Sequence, residues 1–414
     1  MMRVYLHTFG CKANQYDTEA VRQALEASGA TSVGDPALAD AAIVNSCTVT
    51  HVAEAKMRGL VRRLARQRPA LRTVVMGCAA ALDDGAIARL PGVEAVVGGA
   101  EPSRVLAALG LSAPNAGELL RSFARGSRAW LKIQDGCDEH CTFCATTLAR
   151  GANRSRPVDD LVAEAGLLAE QHEEIVLTGV HIGSYGRDGD GGMTLGRLVE
   201  ELVRQVPRVR FRLSSVEATE VDPSLAELMI GEPLRLAPHL HAPLQSGSDR
   251  LLKRMGRHWY TARAYRDRIE WLAERLPRLG LGADVIVGFP GETARDHAAT
   301  MELVSALPFT YLHVFPYSER PGASARRLGR PVDPPVAAAR SAELRDLAAS
   351  HRQRYQASRD GGPADVVLMA RQAARFQGLT EDYLTVYLPA DRARPPRLPA
   401  TLRRRGGVLL AEAA

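Results

Sequence analysis

Three cysteines fall within one short stretch, Asp135-Gly136-Cys137-Asp138-Glu139-His140-Cys141-Thr142-Phe143-Cys144, at the spacing C-x3-C-x2-C with an aromatic just before the third. Whatever the chain folds into must carry this loop. Three thiolates on one tight loop can hold three irons of a four-iron, four-sulfur cluster. The fourth iron then lacks a protein ligand and is open to a small molecule. A zinc knot or a disulfide knot is the other reading. Zinc wants a fourth Cys or His within reach, and His140 lies inside the loop.

The remaining cysteines, Cys11, Cys47 and Cys78, are far apart in sequence, yet their surroundings repeat. Residues 3–8 read as a strand ending at Gly10-Cys11, followed by a helical pattern over 17–28. Residues 41–45 form a second strand ending at Ser46-Cys47, with a helix over 53–68. Residues 72–76 form a third ending at Gly77-Cys78, and 93–97 a fourth. Strands alternating with helices predict a parallel sheet with helices on its faces. In an open parallel sheet the carboxyl ends of the strands share one edge, where ligands bind. The three cysteines are therefore expected to converge, as ligands of a second cluster or as buried, inert thiols.

The C-x3-C-x2-C loop resembles the signature of radical S-adenosylmethionine (SAM) enzymes. Combined with Cys11, Cys47 and Cys78, it resembles the radical SAM methylthiotransferase family. That resemblance implies an N-terminal domain with an auxiliary cluster over 1–120, a radical SAM barrel over 124–330, a linker and helix over 331–354, and a TRAM-like RNA-binding domain over 355–414. It implies two [4Fe-4S] clusters, on Cys137, Cys141 and Cys144 and on Cys11, Cys47 and Cys78, with SAM as methyl donor and radical source. It also implies tRNA, a sulfur donor, and an electron donor such as flavodoxin or ferredoxin as partners. Gly10-Cys11-Lys12-Ala13-Asn14-Gln15-Tyr16-Asp17-Thr18-Glu19 is most similar to the branch that modifies N6-threonylcarbamoyladenosine in tRNA. The isopentenyl-adenosine branch usually has Gln-Met-Asn after this cysteine, and the branch that modifies a ribosomal protein aspartate has Pro-Lys-Asn. Lys12 and Tyr16 favour the first.

Alternation resumes at about residue 124. Strands over 130–134, 174–177, 209–213, 239–244, 283–287 and 312–315, with helices between them, give about six strand-helix units. The fold class expected is α/β: an open parallel sheet, then a partial TIM-like (β/α)6 barrel with its site at the carboxyl face, then a small β-barrel. His239-Leu240-His241-Ala242-Pro243-Leu244-Gln245-Ser246-Gly247-Ser248-Asp249 and Asp284-Val285-Ile286-Val287-Gly288-Phe289-Pro290-Gly291-Glu292-Thr293 match the family closely. The resemblance places Phe143 beside the adenine of SAM. It places Thr178, Gly179, Ser215 and Glu217 at polar parts of SAM. Gln245 and Ser246 belong with them or face the second cluster. Arg154 and Arg156 suit a carboxylate or phosphate, which an arginine fork binds bidentately. One departure is local: family members commonly have Ile-Ile-Pro-Tyr after the third cysteine, where this chain has Ala145-Thr146-Thr147-Leu148 before Arg150-Gly151.

Toward the C-terminus, 331–335 reads as a Pro-rich linker, followed by a helix to about 354 and strands over 364–371, 383–388 and 407–410. Six arginines, including Arg403, Arg404 and Arg405, lie between 391 and 405. They offer a phosphate-contacting surface or a solvated loop in an arginine-rich chain. The net charge of +6 permits an anionic partner without requiring one. No apolar run approaches the roughly 18 residues of a membrane span. No signal peptide or lipidation motif is expected at the start of the chain. A cytoplasmic protein is expected, where thiols stay reduced and cysteine clusters tend to be metal sites. The expected activity is methylthiolation at carbon 2 of N6-threonylcarbamoyladenosine. The rivals are a sister methylthiotransferase and a non-catalytic iron-sulfur or zinc protein that binds RNA.

Overall fold

The computed structural model describes residues 1–112, 118–124, 126–189, 192–372, 375–390 and 393–413, with the side chains of 370–372 left aside. Asp391 and Arg392 of the basic tail lie outside the described residues. The chain forms two compact units. One comprises Met1–Arg121, Gln134–Arg154 and Ser318–Ala323; the other comprises Ser122–Ile133, Ser155–Tyr317 and Ser324–Ala414. The three-cysteine loop thus counts with the N-terminal sheet.

The first unit is a parallel sheet of β1 (Arg3–Thr8), β2 (Thr31–Val33), β3 (Ala41–Ser46), β4 (Arg72–Gly77) and β5 (Val93–Gly98), in the order β2-β1-β3-β4-β5. Successive strand residues point to opposite faces. Ile43, Val74 and Met76 therefore pack with Val21 and Leu25 of helix α1 (Lys12–Ala27) on one face. Val44 and Val75 pack with Met57, Leu60 and Leu64 of α2 (His51–Gln67) on the other. With both faces covered, β3 is buried along its whole length, as a central parallel strand must be.

Helix α1 begins five residues earlier than the sequence pattern suggests, with Cys11 as its N-cap. Asp17, Thr18 and Glu19 look like a helix start but lie inside it. Thr18 Oγ1 donates back to the Asn14 carbonyl at 3.0 Å, one turn earlier.

The second unit carries β6 (Arg128–Lys132), β7 (Glu174–Thr178), β8 (Arg210–Leu213), β9 (His239–His241), β10 (Gly280–Val287) and β11 (Tyr311–Pro316). Two parallel three-stranded sheets, β8-β7-β6 and β9-β10-β11, are joined by parallel bridges Phe211↔Leu236 and Ser215↔His241. The six strands make an open barrel. Its amino end is closed by charge. Glu174, fully buried, takes Arg128 at 2.6 Å, Arg210 at 2.7 Å and Arg212 at 2.9 Å. Arg210 also reaches Asp365 at 2.9 Å, and Arg212 donates to the Thr380 and Glu381 carbonyls. The carboxyl end of the barrel keeps its polar loops.

Helix α3 (Pro334–Ser358) starts at the prolines read as linker, because proline is tolerated in the first helical turn. A closed barrel follows, of β12 (Pro363–Gln372), β13 (Arg375–Leu379), β14 (Thr385–Pro389), β15 (Arg397–Arg405) and β16 (Val408–Ala413), in the order β12-β13-β14-β16-β15. Most of the basic stretch is therefore strand. Leu398, Ala400 and Leu402 alternate into the barrel core, leaving the intervening residues on its outer face. No helix among the described residues is long and apolar enough to cross a membrane.

Candidate iron-sulfur and cofactor sites

The three N-terminal cysteines meet at the carboxyl edge of the first sheet. Cys11 follows β1, Cys47 follows β3, and Cys78 opens the short helix after β4. Asn14 is the hub. Its Nδ2 donates to the Phe9 carbonyl at 2.8 Å and the Ser46 carbonyl at 2.9 Å, tying two strand ends together. Its Oδ1 lies 3.9 Å from Cys11 Sγ and 3.8 Å from Cys78 Sγ. Gly10, at φ 107°, has no room for a side chain: a Cβ there would lie 3.1 Å from Cys47 Sγ and 2.9 Å from Asn14 Nδ2. Cys47 and Cys78 are buried and Cys11 is exposed.

Arg150 enters this site from the end of the short helix Thr146–Arg150 that follows the central cysteines. Its Nε donates to Cys78 Sγ at 3.2 Å and its Nη2 to Asn14 Oδ1 at 2.7 Å and Asp17 at 2.8 Å. Nη1 takes both oxygens of Asp135 at 3.0 Å. Burial disfavours the guanidinium, but Asp17, Cys78 and Asp135 together hold it firmly protonated. Burial also pushes the Cys78 thiol up to about 11 despite Arg150, and it raises Cys47. Arg320 reaches the residue that follows Cys47, with Nη2 donating to Thr48 Oγ1 at 3.3 Å and to Glu54 at 2.8 Å. Thiols from three strand ends, with two buried cations as counter-charge, fit the anionic thiolates that an iron-sulfur cluster needs.

The central loop is held by backbone and side-chain bonds together, Gln134 Nε2 donating to the Asp135 and Gly136 carbonyls at 2.9 and 2.6 Å. Cys137 N donates to the Gly151 carbonyl at 3.0 Å and Cys144 N to the Cys141 carbonyl at 3.1 Å. Gly136, at φ 72°, presses so closely on the Ala152 carbonyl that a Cβ would overlap it. Thr146 N lies 3.3 Å from Cys144 Sγ, a backbone donor toward sulfur. All three thiols and Phe143 are half-buried. Free thiols at this spacing on a loop fit three irons of one cluster as well.

In the second unit Thr178 and Gly179 end β7 and start its loop, with Thr178 buried. Ser215 and Glu217 follow β8. Glu217 is buried and ion-paired to Arg257, and burial pushes its carboxyl up. Gln245 is buried at φ 62° and bridges to Val285 of β10. Ser246 meets Thr300 at 3.3 Å. These residues all sit at the carboxyl edge of the barrel. The two arginines expected to act alike differ. Arg156 spends its fork on buried Glu164 at 2.9 Å, whereas Arg154 is exposed and donates only to the Ala152 and Arg150 carbonyls, with no ion pair among the described residues. Arg403 and Arg405 are exposed beside Glu412 at 3.6 Å, and Arg404 is exposed.

Sequence reasoning passed over Asn14, Asp17, Arg150 and Arg320. It also passed over a cluster inside the barrel. There Asp284 on β10 takes His241 Nε2 at 3.0 Å and His313 Nδ1 at 3.1 Å. Tyr311 Oη meets His239 at 2.8 Å and His241 at 3.0 Å. Period-two spacing was the available signal: His239 and His241 on one strand, and Tyr311 and His313 on another, share the face of Asp284.

Residues 3–98 match the uncharacterized protein family UPF0004 and residues 131–304 the radical SAM superfamily. The chain is 35% identical over 409 residues to the threonylcarbamoyladenosine tRNA methylthiotransferase MtaB of Bacillus subtilis, covering 93% of this chain and 90% of that protein. It is 31% identical over 392 residues to a tRNA-2-methylthio-N(6)-dimethylallyladenosine synthase of Thermodesulfovibrio yellowstonii, covering 90% and 89%. Among solved structures, the radical SAM methyltransferase TsrM from Kitasatospora setae aligns with a TM-score of 0.57 at 16% identity, over 76% of this chain and 75% of that one. That likeness is one of fold. The radical SAM family implies SAM and a [4Fe-4S] cluster, and the chain belongs to the radical SAM methylthiotransferase family, of MtaB type.

Proposed function

We propose that this protein adds a methylthio group to carbon 2 of N6-threonylcarbamoyladenosine in tRNA, using two iron-sulfur clusters. The observation that carries the reading is the second three-cysteine site, where Cys11 and Cys78 share Asn14 and Arg150 covers Cys78. Carbon 2 of adenine bears an unactivated C–H bond that no protein acid or base opens easily. When bound, the two clusters supply an electron to SAM and an iron at which sulfur can attach, chemistry that belongs to the cofactors rather than to side chains. Cys137, Cys141 and Cys144 would hold the first, and Cys11, Cys47 and Cys78 the second. The chain's own part is to position and to exclude water. The ion cluster on Glu174 closes the amino end of the barrel, and the polar residues from Thr178 to Ser246 line its other edge. Flavodoxin or ferredoxin as reductant, and a separate sulfur donor, complete the reading.

The threonylcarbamoyl substituent ends in a carboxylate. Arg154, exposed and without an ion pair among the described residues, is the arginine that suits it; Arg156 is engaged by Glu164. Relatives named for dimethylallyladenosine favour a second reading, action on that nucleoside. Anaerobically reconstituted enzyme offered both tRNAs decides between them. Turnover of the threonylcarbamoylated tRNA alone is expected; turnover of the dimethylallyl tRNA alone would overturn the substrate assignment. Iron analysis tests the clusters separately. About eight irons per chain are expected, and about four after Cys11, Cys47 and Cys78 are replaced by Ala.

A further inference from the structure

Arg320 is only 3% exposed, yet two of its three nitrogens have no hydrogen-bond partner. Nη2 is taken by Thr48 and Glu54, while Nε and Nη1 are buried and unpaired among the described residues. A buried donor left unsatisfied costs on the order of 1–3 kcal/mol, and more when charged. Such a group in a native fold calls for a missing acceptor. Its charge is also in excess. Glu54, its one carboxylate, is shared with Arg58 at 2.8 Å. Beyond Glu54, the chain leads from this guanidinium to the cysteine site. Thr48, which accepts from Nη2, is the residue after Cys47. Arg150 differs in having every nitrogen engaged.

We infer that Arg320 is an anion-binding residue of the N-terminal cysteine site, whose two spare N–H groups donate to an anionic sulfur held there. That sulfur is either a sulfide of the cluster itself or an added hydrosulfide bound at the site; both are soft, polarisable anions that accept two charge-assisted hydrogen bonds. The inference rests on the reading of Cys11, Cys47 and Cys78 as cluster ligands. No electron or proton moves in the binding.

The test uses the full chain with Cys137, Cys141 and Cys144 replaced by Ala and reconstituted anaerobically, so that only the N-terminal site carries iron. Arg320→Gln is compared with this parent. Because Glu54 keeps Arg58, the substitution strands no carboxylate. If the partner is the cluster's own sulfide, the variant's midpoint potential, read by electron paramagnetic resonance, falls by about 59 mV or more, a tenfold change for one electron. If the partner is added hydrosulfide, sodium hydrosulfide titrated into the oxidised protein binds at least tenfold more weakly. Either change supports the inference. Unchanged potential and unchanged hydrosulfide affinity, with the iron content of the parent, overturn it. Should Arg320→Gln lose its iron, Arg320→Lys carries the test: it keeps the charge but not the fork, and parental values on both readouts overturn the inference. A parent that holds no iron would instead sink the cluster reading on which the inference stands.

Discussion

Two buried charge clusters, one in each unit, use the same groups to opposite ends. At the amino end of the barrel, one carboxylate, Glu174, is wrapped by Arg128, Arg210 and Arg212. At the cysteine site, one guanidinium, Arg150, is wrapped by Asp17, Asp135, Asn14 and the Cys78 thiol. The first turns inward on that carboxylate: Arg210 also finds Asp365 and Arg212 the carbonyls of Thr380 and Glu381, although Arg128 Nη2 and Arg210 Nη2 keep no partner among the described residues. The second is left open, with thiols at its centre and the spare donors of Arg320 nearby. What separates the two is the group at the centre: a carboxylate that only pairs charge in the first, thiols that can take a ligand in the second. Buried ion pairs are weak evidence of net stability, but removing one partner leaves an uncompensated buried charge.

The largest effects should come from breaking each cluster at its centre. Glu174→Gln takes their shared anion from three buried guanidiniums, of which Arg210 still keeps Asp365, and should cost about 3–5 kcal/mol in denaturant unfolding. The iron content of reconstituted protein should stay at its parental value, since Glu174 belongs to the other unit. Arg150→Ala strands buried Asp17 and should cost a similar amount, but here iron on the N-terminal cysteines should fall as well. If Arg150→Ala kept all its iron, the contrast between a structural and a ligand-receiving cluster would fail.

Acid separates the clusters next. Burial would raise the Glu174 carboxyl, but Arg212, Arg210 and Arg128 overcome it and hold it well below the usual range. A carboxylate depressed in the folded state contributes stability above its unfolded pKa, about 4.3. That stability is lost as pH falls below this value toward the folded one. Thermal unfolding followed between about pH 5 and pH 3 should show a falling midpoint in the parent. Glu174→Gln, already destabilised, should show a flatter decline over the same window. An equal slope in the two proteins would mean that other carboxylates carry the acid sensitivity.

The two clusters also mark what the sequence makes legible. Strand ends are visible because apolar runs stop there, so Cys11, Cys47 and Cys78 could be placed on one edge before any coordinates. The radical SAM loop is visible because its spacing is local. Arg150, Asp135 and Asp17 are not, because Arg150 meets Asp17 across 133 residues and Asp135 across 15, with no shared period to mark either contact. Glu174, Arg210 and Arg212 read simply as strand residues: a buried charge cluster leaves no hydrophobic pattern. The start of α1 was misplaced for a physical reason. Asp17 and Thr18 resemble a cap, while the residue that does cap the helix is a cysteine with no side-chain bond to its first turn. In the C-terminal region, the prolines among the arginines suggested a loop. Pro399 is accommodated in β15 opposite Asp365, and the strand continues past it.

The smallest effect on the fold is expected where charge is least buried. Arg403 and Arg405 flank Glu412 at 3.6 Å on β15, with side chains 50% and 74% exposed. Pairs this open contribute little, between about 0 and 1 kcal/mol, and salt screens them further. Their value must lie elsewhere if they are kept for a reason, and a row of cations on the outside of a small barrel suits a phosphate backbone. Replacing Arg403, Arg404 and Arg405 by Gln should therefore leave unfolding within about 0.5 kcal/mol of the parent. Binding to tRNA should weaken whether or not the nucleoside carries threonylcarbamoyl, and its logarithmic salt slope should flatten by up to about one for each phosphate contact removed. Arg154→Gln should do the reverse: the salt slope stays near parental, while the preference for threonylcarbamoylated over unmodified tRNA shrinks. Filter binding at several salt concentrations, with both tRNAs, reads the two effects together. A triple variant with parental affinity and slope would show that β15 does not touch the nucleic acid, and would leave the arginines of this barrel as solvated surface.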